Sequence, residues 1–381
     1  MRQRPEEEMY ALICGGGTAG HVLPAIAIGE ALVARGHGRL ALHFVGSEGR
    51  IEETLVPEAG FSVTLLPGRG IQRRLAIANI GAVIGTARAL WRALGLVRRS
   101  RPRVVVAMGG FASVPCALAA VALRVPIVVA EQNAVPGAAN RLIARFAKAA
   151  AVSFPGTELP RAVVTGNPVR SEILARAARL DRDSAKRELG VPTDRSLVVV
   201  VGGSLGARKL NVAVLEALAA WSTRDDIAVR HVVGERDWAE MQMATPQLAS
   251  EGVMYTPVRY ERAMPVALDA ADVAVCRSGS STCFELFALG LPAVLVPSPF
   301  VTGDHQSANA RYAVDAGAAV LVPDSELDGA RLVAEVDALL GDPVRRTVMA
   351  AAARKLARPA AASDIAELIE HHARGQQTAP G

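Results

Sequence analysis

Two glycine-rich segments of the chain have the composition of anion-binding loops. GGGTAGH spans Gly15 to His21, and GGSLGAR spans Gly202 to Arg208. Each follows an apolar run typical of a strand and precedes a pattern typical of a helix. Glycine lets the backbone approach a ligand, and a helix N-terminus directs free N–H groups at an anion. The sequence therefore predicts two anion sites facing each other across a cleft, suited to a reaction with a diphosphate on each side.

The first of these loops also matches the GxGxxG pattern of dinucleotide-binding proteins, through Gly15, Gly17 and Gly20. A dinucleotide site also requires an acidic residue that closes the second strand, roughly 20 residues further on. Here that strand ends in FVGS, and Glu48 comes after its end. The sequence therefore disfavours an NAD-dependent oxidoreductase.

Polar side chains suited to a nucleotide sugar follow the second loop. In AVCRSGSSTCFELFALGLPAVLVP, a turn at Ser278–Ser281 starts a helix that carries Glu285. A carboxylate there could compensate the helix dipole or accept hydrogen bonds from the two hydroxyls of a ribose. In TGDHQSANA, Gln306 and Asn309 share one face of a helix start and suit sugar hydroxyls. Asp304 is the predicted N-cap of that helix.

The first half offers a second set of candidates. GGFASVP, from Gly109 to Pro115, and EQNAVPGAANR, from Glu131 to Arg141, each follow a predicted strand. In an open α/β sheet, ligands bind beyond the carboxyl ends of the strands. Glu131, His21 and Asn133 are therefore candidates for that crevice. A single histidine is more often structural than catalytic, but the place of His21 inside the glycine loop favours a catalytic role.

The chain alternates β-branched apolar runs with alanine- and leucine-rich helical stretches, a pattern of parallel sheets covered by helices on both faces. The predicted strands of the first series are Tyr10–Cys14, Leu40–Val45, Val104–Ala107, Ile127–Ala130 and Ala149–Ser153. Those of the second series are Leu197–Val201, Ala228–Val233, Val253–Thr256, Val273–Cys276, Ala293–Val296 and Ala319–Leu321. Helical segments such as Pro24–Arg35 and Val114–Leu123 lie between them. The sequence predicts an α/β protein of two doubly wound, Rossmann-like domains.

The boundary between the two domains is predicted near Gly166–Arg170, where TGNPVR interrupts regular structure. We assign residues 1–166 to an N-terminal domain and residues 167–381 to a C-terminal domain. The final helix could pack back on the N-terminal domain. The residues from about 375 are predicted to form a frayed tail.

The composition limits the partners. A net charge of +5 favours anionic partners, which include phosphates, anionic lipid and nucleic acid. Only 4% of the residues are aromatic and no recognition module is present, so we expect no nucleic acid partner. The four cysteines form no CxxC pair, which is typical of reduced thiols in a cytosolic protein. They are Cys14, Cys116, Cys276 and Cys283.

We expect neither a metal site, a transmembrane helix nor a secretion signal. Asp181 and Asp183 form a DxD but precede SAKRELG, which favours helix capping. His371 and His372 are adjacent, so one helix face cannot present both to a metal. Leu286–Gly303 is free of charge and has the length of a membrane span, but its three prolines favour a helix end, a buried strand and a loop. The first ten residues carry three glutamates and no apolar core.

The segment from Gln72 to Arg103 carries an apolar helical stripe surrounded by arginines. The stripe is Ile80, Val83, Ile84, Ala87, Trp91 and Leu94, and the arginines are Arg73, Arg74, Arg88, Arg92, Arg98 and Arg99. One interpretation is a sheet-covering helix with solvated arginines, which we favour for the C-terminal part. The other is a patch of Leu75, Ile77 and Ile80, flanked by Arg73 and Arg74, that enters an anionic membrane surface.

With these motifs, the chain resembles the MurG family. These are UDP-N-acetylglucosamine–N-acetylmuramyl-(pentapeptide) pyrophosphoryl-undecaprenol N-acetylglucosamine transferases with the GT-B fold. The resemblance rests on seven motifs in order over nearly the whole chain: GGGTAGHVLPA, GGFASVP, EQNAVPGAANR, TGNPVR, GGSLGAR, RSGSSTCFEL and DHQSANA. It implies a peripheral enzyme on the cytoplasmic face of the inner membrane, with UDP-GlcNAc and lipid I as substrates.

The resemblance also implies roles for residues of the C-terminal domain, which would bind UDP-GlcNAc. Ser204 and its loop would contact the diphosphate, Glu285 the ribose, and Gln306 with Asn309 the sugar. A backbone contact near Glu261 would bind uracil. The other implied substrate-site residues are Arg170, Ser280, Ser281, Thr282, Cys283 and Phe284, with Thr18, Ala19, Gly20 and Asn133 of the N-terminal domain.

The N-terminal domain would receive lipid I, with Thr18 to Gly20 beside the reacting sugars and Asn133 in the cleft. The hypothesis is one inverting displacement, in which the C4 hydroxyl of the N-acetylmuramic acid attacks the anomeric carbon of GlcNAc. His21 is the predicted base. The second glycine loop and Arg170 would stabilise the departing diphosphate without a metal cofactor.

Some positions depart from the family pattern. Leu205 replaces the usual glutamine, which puts a polar donor contact in doubt, and Ala130 stands where a histidine often precedes EQN. Cys283 and Phe284 are larger than the usual small residues before the glutamate. None of these changes removes a residue to which we assign chemistry.

Two alternative functions remain open. One is a GT-B glycosyltransferase with another membrane lipid acceptor, such as diacylglycerol. The other is a non-catalytic UDP-sugar-binding protein, against which the presence of His21, Glu285 and Gln306 argues.

Overall fold

The computed structural model describes residues 9–67, 78–203, 206–246, 248–249 and 251–373, and gives only the backbone for 78–84. These residues form two compact units. The first unit runs to Val169 and takes in the chain again from Ala360, and the second unit spans Arg170–Pro359. The division therefore falls within TGNPVR, and the last helix belongs to the first unit. The predicted tail from about residue 375 lies outside the described residues.

Thirteen strands of the described chain form two parallel sheets, one in each unit. The first sheet contains β1 (Ala11–Gly15), β2 (Leu42–Ser47), β3 (Ser62–Leu66), β4 (Val104–Gly109), β5 (Ile127–Glu131), β6 (Ala149–Val152) and β7 (Ala162–Val164), in the order β3-β2-β1-β4-β5-β6-β7. The second contains β8 (Ser196–Val201), β9 (Ile227–Val232), β10 (Met254–Val258), β11 (Val273–Cys276), β12 (Ala293–Leu295) and β13 (Ala319–Leu321), in the order β10-β9-β8-β11-β12-β13. The strand order reverses between β1 and β4 and between β8 and β11, where open sheets form ligand crevices.

Helices cover both faces of the first sheet, and helices likewise pack against the second. They are α1 (Ala19–Ala34), α2 (Glu52–Glu58), α3 (Ala78–Ser100), α4 (Ser113–Ala122), α5 (Ala138–Ile143), α6 (Ser171–Ala177), α7 (Arg182–Glu188), α8 (Arg208–Ala220), α9 (Trp238–Ala244), α10 (Met264–Ala270), α11 (Ser280–Leu289), α12 (His305–Asp315), α13 (Gly329–Leu340), α14 (Pro343–Leu356) and α15 (Ala361–His372). In the first unit, α3, α4 and α5 share one apolar core with the sheet, and α1, α2 and α15 share the other. In the second unit, α8 and α13 pack together on one face.

The predicted α/β class with two doubly wound sheets is confirmed. All eleven predicted strands are present, with ends that differ by at most two residues. Two strands, β3 and β7, were not predicted. Both are edge strands, and β7 is exposed at each of its three residues. Neither has the buried apolar run that identifies a central parallel strand.

Helix α1 begins at Ala19, so the predicted start at Pro24 is wrong. Pro24 lies inside the helix, where its ring nitrogen donates no hydrogen bond. Thr18 is the N-cap, and its carbonyl oxygen accepts hydrogen bonds from the N–H groups of His21 and Val22. His21 therefore stands in the first turn of a helix, not in the glycine loop.

Helix α3 covers the sheet as predicted for its C-terminal part, and Leu94 packs against the core, but the predicted stripe is wrong at Ala87 and Trp91. Ala89, Ala93 and Val97 are buried, whereas Ala87 is exposed and Trp91 is 80% exposed. The periodicity of large apolar side chains predicted which face of α3 is buried, but two small alanines form most of the face that is buried in the described part of this helix. The predicted patch residues Leu75, Ile77, Arg73 and Arg74 lie outside the described residues, as does the side chain of Ile80.

The apolar stretch Leu286–Gly303 completes α11, forms β12 and continues as a loop, as predicted. In the described part of the chain, no helix combines the length and apolarity needed to span a bilayer.

The last helix is fastened to α1 by Glu370. Arg35 donates two hydrogen bonds to Glu370 Oε2, from Nε at 2.9 Å and from Nη2 at 2.6 Å. His37 Nε2 lies 2.8 Å from Glu370 Oε1, and its ring stacks on Tyr10. These contacts explain why α15 belongs to the first unit although it follows the second in sequence.

A chain of hydrogen bonds runs through the interior of the second unit from β10 to α8. The Tyr255 hydroxyl lies 3.0 Å from His231 Nδ1, and His231 Nε2 lies 3.0 Å from Asn211 Oδ1. Asn211 Nδ2 donates to Val233 O and to Asp237 Oδ2, which fixes the orientation of the amide. Because an amide oxygen only accepts, the imidazole carries its proton on Nε2. Burial lowers the pKa of His231 to about 4, so the ring is neutral at pH 7.

The buried His231 should make the second unit sensitive to acid. The pKa of this histidine is lowered in the fold, so the unfolded chain binds more protons between about pH 6.5 and 4. The full contribution to stability is present above pH 6.5, and about 3 kcal/mol of it should disappear as the pH falls to 4. Denaturant unfolding at several pH values measures this through the fluorescence of Trp221 and Trp238, which both lie in the second unit. His231→Gln should flatten the pH dependence; equal slopes for variant and wild type would contradict the assignment.

Candidate functional site

The first cluster of candidate residues lies where β1, β4 and β5 end. His21 follows β1, and Thr18 Oγ1 lies 3.0 Å from His21 Nδ1. Gly109 ends β4 with a φ of +96°, and a side chain there would press on His21 and on Asn140. The absence of a side chain at Gly109 therefore lets the imidazole and the Asn140 amide come together beside the end of β4.

Glu131 organises the loop after β5. Its Oε1 accepts a hydrogen bond from the N–H of Asn133 at 2.9 Å. Its Oε2 accepts from the N–H of Gly137 at 3.0 Å and from Asn140 Nδ2 at 2.9 Å. Glu131 is 3% exposed, so its carboxylate shapes the loop, and Asn133 is the more exposed of these two predicted residues. The first unit thus joins Asn140, Glu131 and Asn133 by hydrogen bonds, and His21 and Asn140 both lie beside Gly109.

The sequence predicted that the N–H groups of the first glycine loop bind a substrate anion, and the structure shows a different partner at Gly17. The N–H of Gly17 donates to both carboxylate oxygens of Glu52, at 3.1 and 3.0 Å. Glu52 belongs to α2 and is almost completely buried. The anion in contact with this loop at Gly17 is therefore a side chain of the protein itself.

The second glycine loop packs against the end of β9 at Gly206. Gly206 has a φ of +79°, and a side chain there would overlap the carbonyl oxygen of Val233. The same carbonyl accepts a hydrogen bond from Asn211 Nδ2. The chain of hydrogen bonds through His231 therefore supports the start of α8, where this loop ends. The predicted diphosphate residue Ser204 and its neighbour Leu205 lie outside the described residues.

Glu285 is paired with Arg170. Arg170 Nε donates to Glu285 Oε1 at 2.7 Å, and the Glu285 side chain is 9% exposed. Burial raises the pKa of Glu285, and the Arg170 guanidinium opposes that shift. The sequence proposed each residue separately for the donor site, and the structure places them in contact.

The turn after β11 is held by the start of α12. The Ser278 hydroxyl donates to the carbonyl oxygen of Gln306, and Asn309 Nδ2 donates to the carbonyl oxygen of Ser278 at 3.1 Å. Gln306 Oε1 accepts from the N–H of Ser298 at 2.8 Å. Asn309 is completely buried, so in this structure it braces the turn, while Gln306 stays partly exposed.

Two predicted cap residues differ in outcome. Asp304 occupies the N-cap position of α12, but its carboxylate accepts from the Ser307 hydroxyl and caps no backbone N–H. Asp181 caps α7 as predicted, because its carboxylate accepts from the N–H of Ser184 at 2.9 Å.

The segment that follows the turn is mostly buried. Ser280, Cys283 and Phe284 have buried side chains, whereas Ser281 and Thr282 are partly exposed. A ligand at this helix start could therefore contact the backbone and the two partly exposed hydroxyls, but not the side chains of Cys283 and Phe284.

Glu261, which was predicted to lie near uracil, accepts hydrogen bonds from Arg230 Nε and from the N–H of Ala263.

Four supporting residues escaped the sequence analysis: Glu52, Asn140, Asn211 and His231. Asn140 stood within the EQNAVPGAANR motif and could have been found there. Asn211 stood three residues beyond GGSLGAR, on the face of α8 that turns inward. The contact of Glu52 with the glycine loop and that of His231 with Asn211 could not be found locally, because these partners lie 35 and 20 residues away.

Family comparisons agree with this arrangement of two sheets. The chain matches the glycosyltransferase family 28 N-terminal domain over residues 11–152 and the family 28 C-terminal domain over residues 197–369. With its two parallel sheets, this makes the protein a glycosyltransferase of the GT-B fold.

Individual relatives narrow the assignment. The chain is 39% identical over 370 residues to the UDP-N-acetylglucosamine–N-acetylmuramyl-(pentapeptide) pyrophosphoryl-undecaprenol N-acetylglucosamine transferase of Desulforudis audaxviator, covering 95% of this chain and 98% of the relative. It is 41% identical over 367 residues to that of Alkalilimnicola ehrlichii, covering 96% and 99%. The crystal structure of Acinetobacter baumannii MurG matches with a TM-score of 0.73 and 26% identity, covering 95% of this chain and 99% of that one. The chain belongs to the MurG family.

Proposed function

We propose that this enzyme transfers N-acetylglucosamine from UDP-GlcNAc to the C4 hydroxyl of N-acetylmuramic acid in lipid I, which yields lipid II for peptidoglycan synthesis. The observation that carries the proposal is full-length identity of about 40% to transferases named for this reaction. The polar clusters at the strand ends of the two units provide residues for a donor and for an acceptor.

The second unit offers polar atoms for the donor. Arg170 occupies one oxygen of Glu285, and no donor among the described residues is bonded to its Oε2. Likewise, Gln306 Nε2 has no acceptor among the described residues. The two hydroxyls of a ribose suit a carboxylate oxygen, and the hydroxyls of a sugar suit an amide N–H. We therefore assign UDP-GlcNAc to this cluster, with Ser204, Ser281 and Thr282 near the phosphates.

The first unit supplies the base. If His21 Nδ1 donates to Thr18 Oγ1, then Nε2 keeps its lone pair, which is the tautomer that a general base needs. The C4 oxygen bonds to the anomeric carbon as the bond from that carbon to the UDP oxygen breaks, and the hydroxyl proton passes to His21 Nε2. Asn133 and the Thr18–Gly20 segment would position the acceptor sugar.

Protein groups stabilise the departing diphosphate in this proposal, so the reaction needs no metal. Arg170 provides a guanidinium, and the starts of α8 and α11 provide backbone N–H groups with the positive end of a helix dipole. These groups act where negative charge develops on the leaving oxygen.

An outer surface of the first unit suits an anionic membrane. The helices α3, α4 and α5 pack side by side over one face of the sheet, so their outward side chains share one surface. Its exposed apolar residues are Leu90, Trp91, Leu118, Val121, Leu142 and Phe146. The exposed basic residues of the same segments are Arg88, Arg92, Arg98, Arg99, Arg124, Arg141, Arg145 and Lys148. We call this the apolar–basic surface and propose that it binds the cytoplasmic face of the inner membrane, where lipid I lies.

The reaction is tested by UDP release from UDP-GlcNAc, with and without a short-chain lipid I analogue. Release should require the analogue and should survive EDTA. His21→Ala should lower kcat by about 10²- to 10⁴-fold, because a general base is lost, whereas the exposed His371→Ala should not. Release with diacylglycerol instead would overturn the acceptor assignment, and donor binding without release to any acceptor would indicate a UDP-sugar-binding protein.

Glu285→Gln should weaken donor binding while it preserves the shape of the side chain. A hydrogen bond to a charged group contributes about 1.5–3 kcal/mol, so KM for UDP-GlcNAc should rise about 10- to 100-fold. Glu172→Gln is the matched control, since Glu172 is exposed and lies near Arg170 without bonding it. An unchanged KM in Glu285→Gln would remove the ribose role.

Membrane binding is tested with a Trp91→Glu, Phe146→Glu double variant. Sedimentation with vesicles that contain phosphatidylglycerol should show binding at least about tenfold weaker than that of the wild type, because two apolar side chains no longer enter the bilayer. Activity on a water-soluble acceptor should persist. Met243→Glu, at an 83% exposed position in the second unit, is the control. Wild-type binding by the double variant would exclude this surface.

A further inference from the structure

Glu52 is a buried carboxylate that contacts backbone donors rather than a cation. It is 1% exposed. Its Oε1 and Oε2 accept from the N–H of Gly17, and Oε1 also accepts from the N–H of Ser47 at 2.9 Å. No arginine, lysine or histidine of the described residues is paired with it. Backbone N–H groups that stabilise a buried negative charge are the arrangement by which glycine loops bind phosphate.

Two glycines make room for this carboxylate. A side chain at Gly16 would overlap the carboxyl group of Glu52, and a side chain at Gly46 would overlap its Cγ. Gly16 belongs to the first glycine loop and Gly46 to the end of β2. The glycine content of the first loop is therefore explained in part by an anion that belongs to the chain.

A second anion at the same place is unfavourable for two reasons. The N–H of Gly17 is already used, and a phosphate would approach a negative charge in a poorly solvated position, where like charges repel strongly. The loop can still contact an uncharged part of a ligand through its exposed edge at Thr18.

Glu52 also fixes the start of α1. Gly17 directly precedes the N-cap Thr18, whose hydroxyl lies 3.0 Å from His21 Nδ1. A carboxylate that holds Gly17 therefore limits the movement of Thr18 and of the imidazole. Glu52 is separated from His21 by this chain of contacts and acts through it.

From these contacts we infer that Glu52 is the resident anion of the first glycine loop, which keeps substrate phosphate out of that loop and positions Thr18 and His21. The positioning role rests on the proposed function. The diphosphate of the acceptor then binds elsewhere, and the loop meets the uncharged sugar that carries the attacking hydroxyl.

The inference is tested by Glu52→Ala, which leaves a space faced by the N–H groups of Gly17 and Ser47. Without substrates, sodium formate should raise the Tm of this variant by several degrees more than sodium chloride of equal ionic strength, because formate replaces the carboxylate. Inorganic phosphate should also stabilise the variant and have no such effect on the wild type. Glu53→Ala is the matched control, since Glu53 is the next residue on α2 and is exposed.

Steady-state kinetics distinguishes a role of Glu52 in positioning His21 from a role in folding alone. Glu52→Ala should lower kcat at least tenfold with KM for UDP-GlcNAc within twofold of the wild type, and formate should restore kcat. If Glu52→Ala does not fold, Glu52→Gln preserves the size of the side chain and should show the same drop in kcat. Wild-type kcat in both variants, or equal responses to formate and chloride, would overturn the inference. A wild type without transferase activity would refute the proposed function, while the formate effect on Tm would still test the resident anion.

Discussion

The parallel arrangement of both sheets is the constraint on which the rest of the structure depends. Parallel strands place all their carboxyl ends on one edge, so the segments after β1, β4 and β5 meet there, as do those after β8, β11 and β12. The backbone groups at those ends must find partners within the chain or in a ligand. Glu131 and Asn309 satisfy loop backbone in this way, whereas Arg170 is the one residue of the described chain that donates to Glu285, at Oε1.

The two glycine loops show how one local pattern takes on two roles. Both connect a buried strand to a helix, and both need glycine where a side chain would collide with neighbouring groups. At the first loop, the colliding group at Gly16 is the carboxylate of Glu52. At the second loop, it is the carbonyl oxygen of Val233, held by Asn211 and, through it, by His231. Gly16 and Gly206 are therefore positions of close packing in the two loops. Whether an anion site remains for a substrate depends on which group the glycine contacts, a carboxylate or a carbonyl oxygen.

The sequence predicted what depends on local pattern and missed what depends on distant partners. Buried strands were found because they are continuous apolar runs, whereas the edge strand β7 has no buried residue to mark it. The stripe on α3 was wrong at Ala87 and Trp91 because the buried residues Ala89 and Ala93 are too small to dominate a periodicity analysis. Glu285 and Gln306 were each proposed from their own motif, whereas the pairing of Glu285 with Arg170 spans 115 residues and could not be predicted from spacing.

The two buried glutamates differ in a way that bears on which unit would hold a diphosphate in the proposed reaction. Glu52 is stabilised by neutral N–H groups, so its negative charge remains and opposes a second anion at the first loop. Glu285 is stabilised by the guanidinium of Arg170, so the pair carries little net charge. In the proposed reaction, a doubly charged leaving group would therefore be repelled at one strand edge and tolerated at the other, although both edges have the same fold and a similar glycine loop. In the proposed reaction, the division of substrates between the units would follow from how each carboxylate is compensated, and not from the glycine pattern that the two units share.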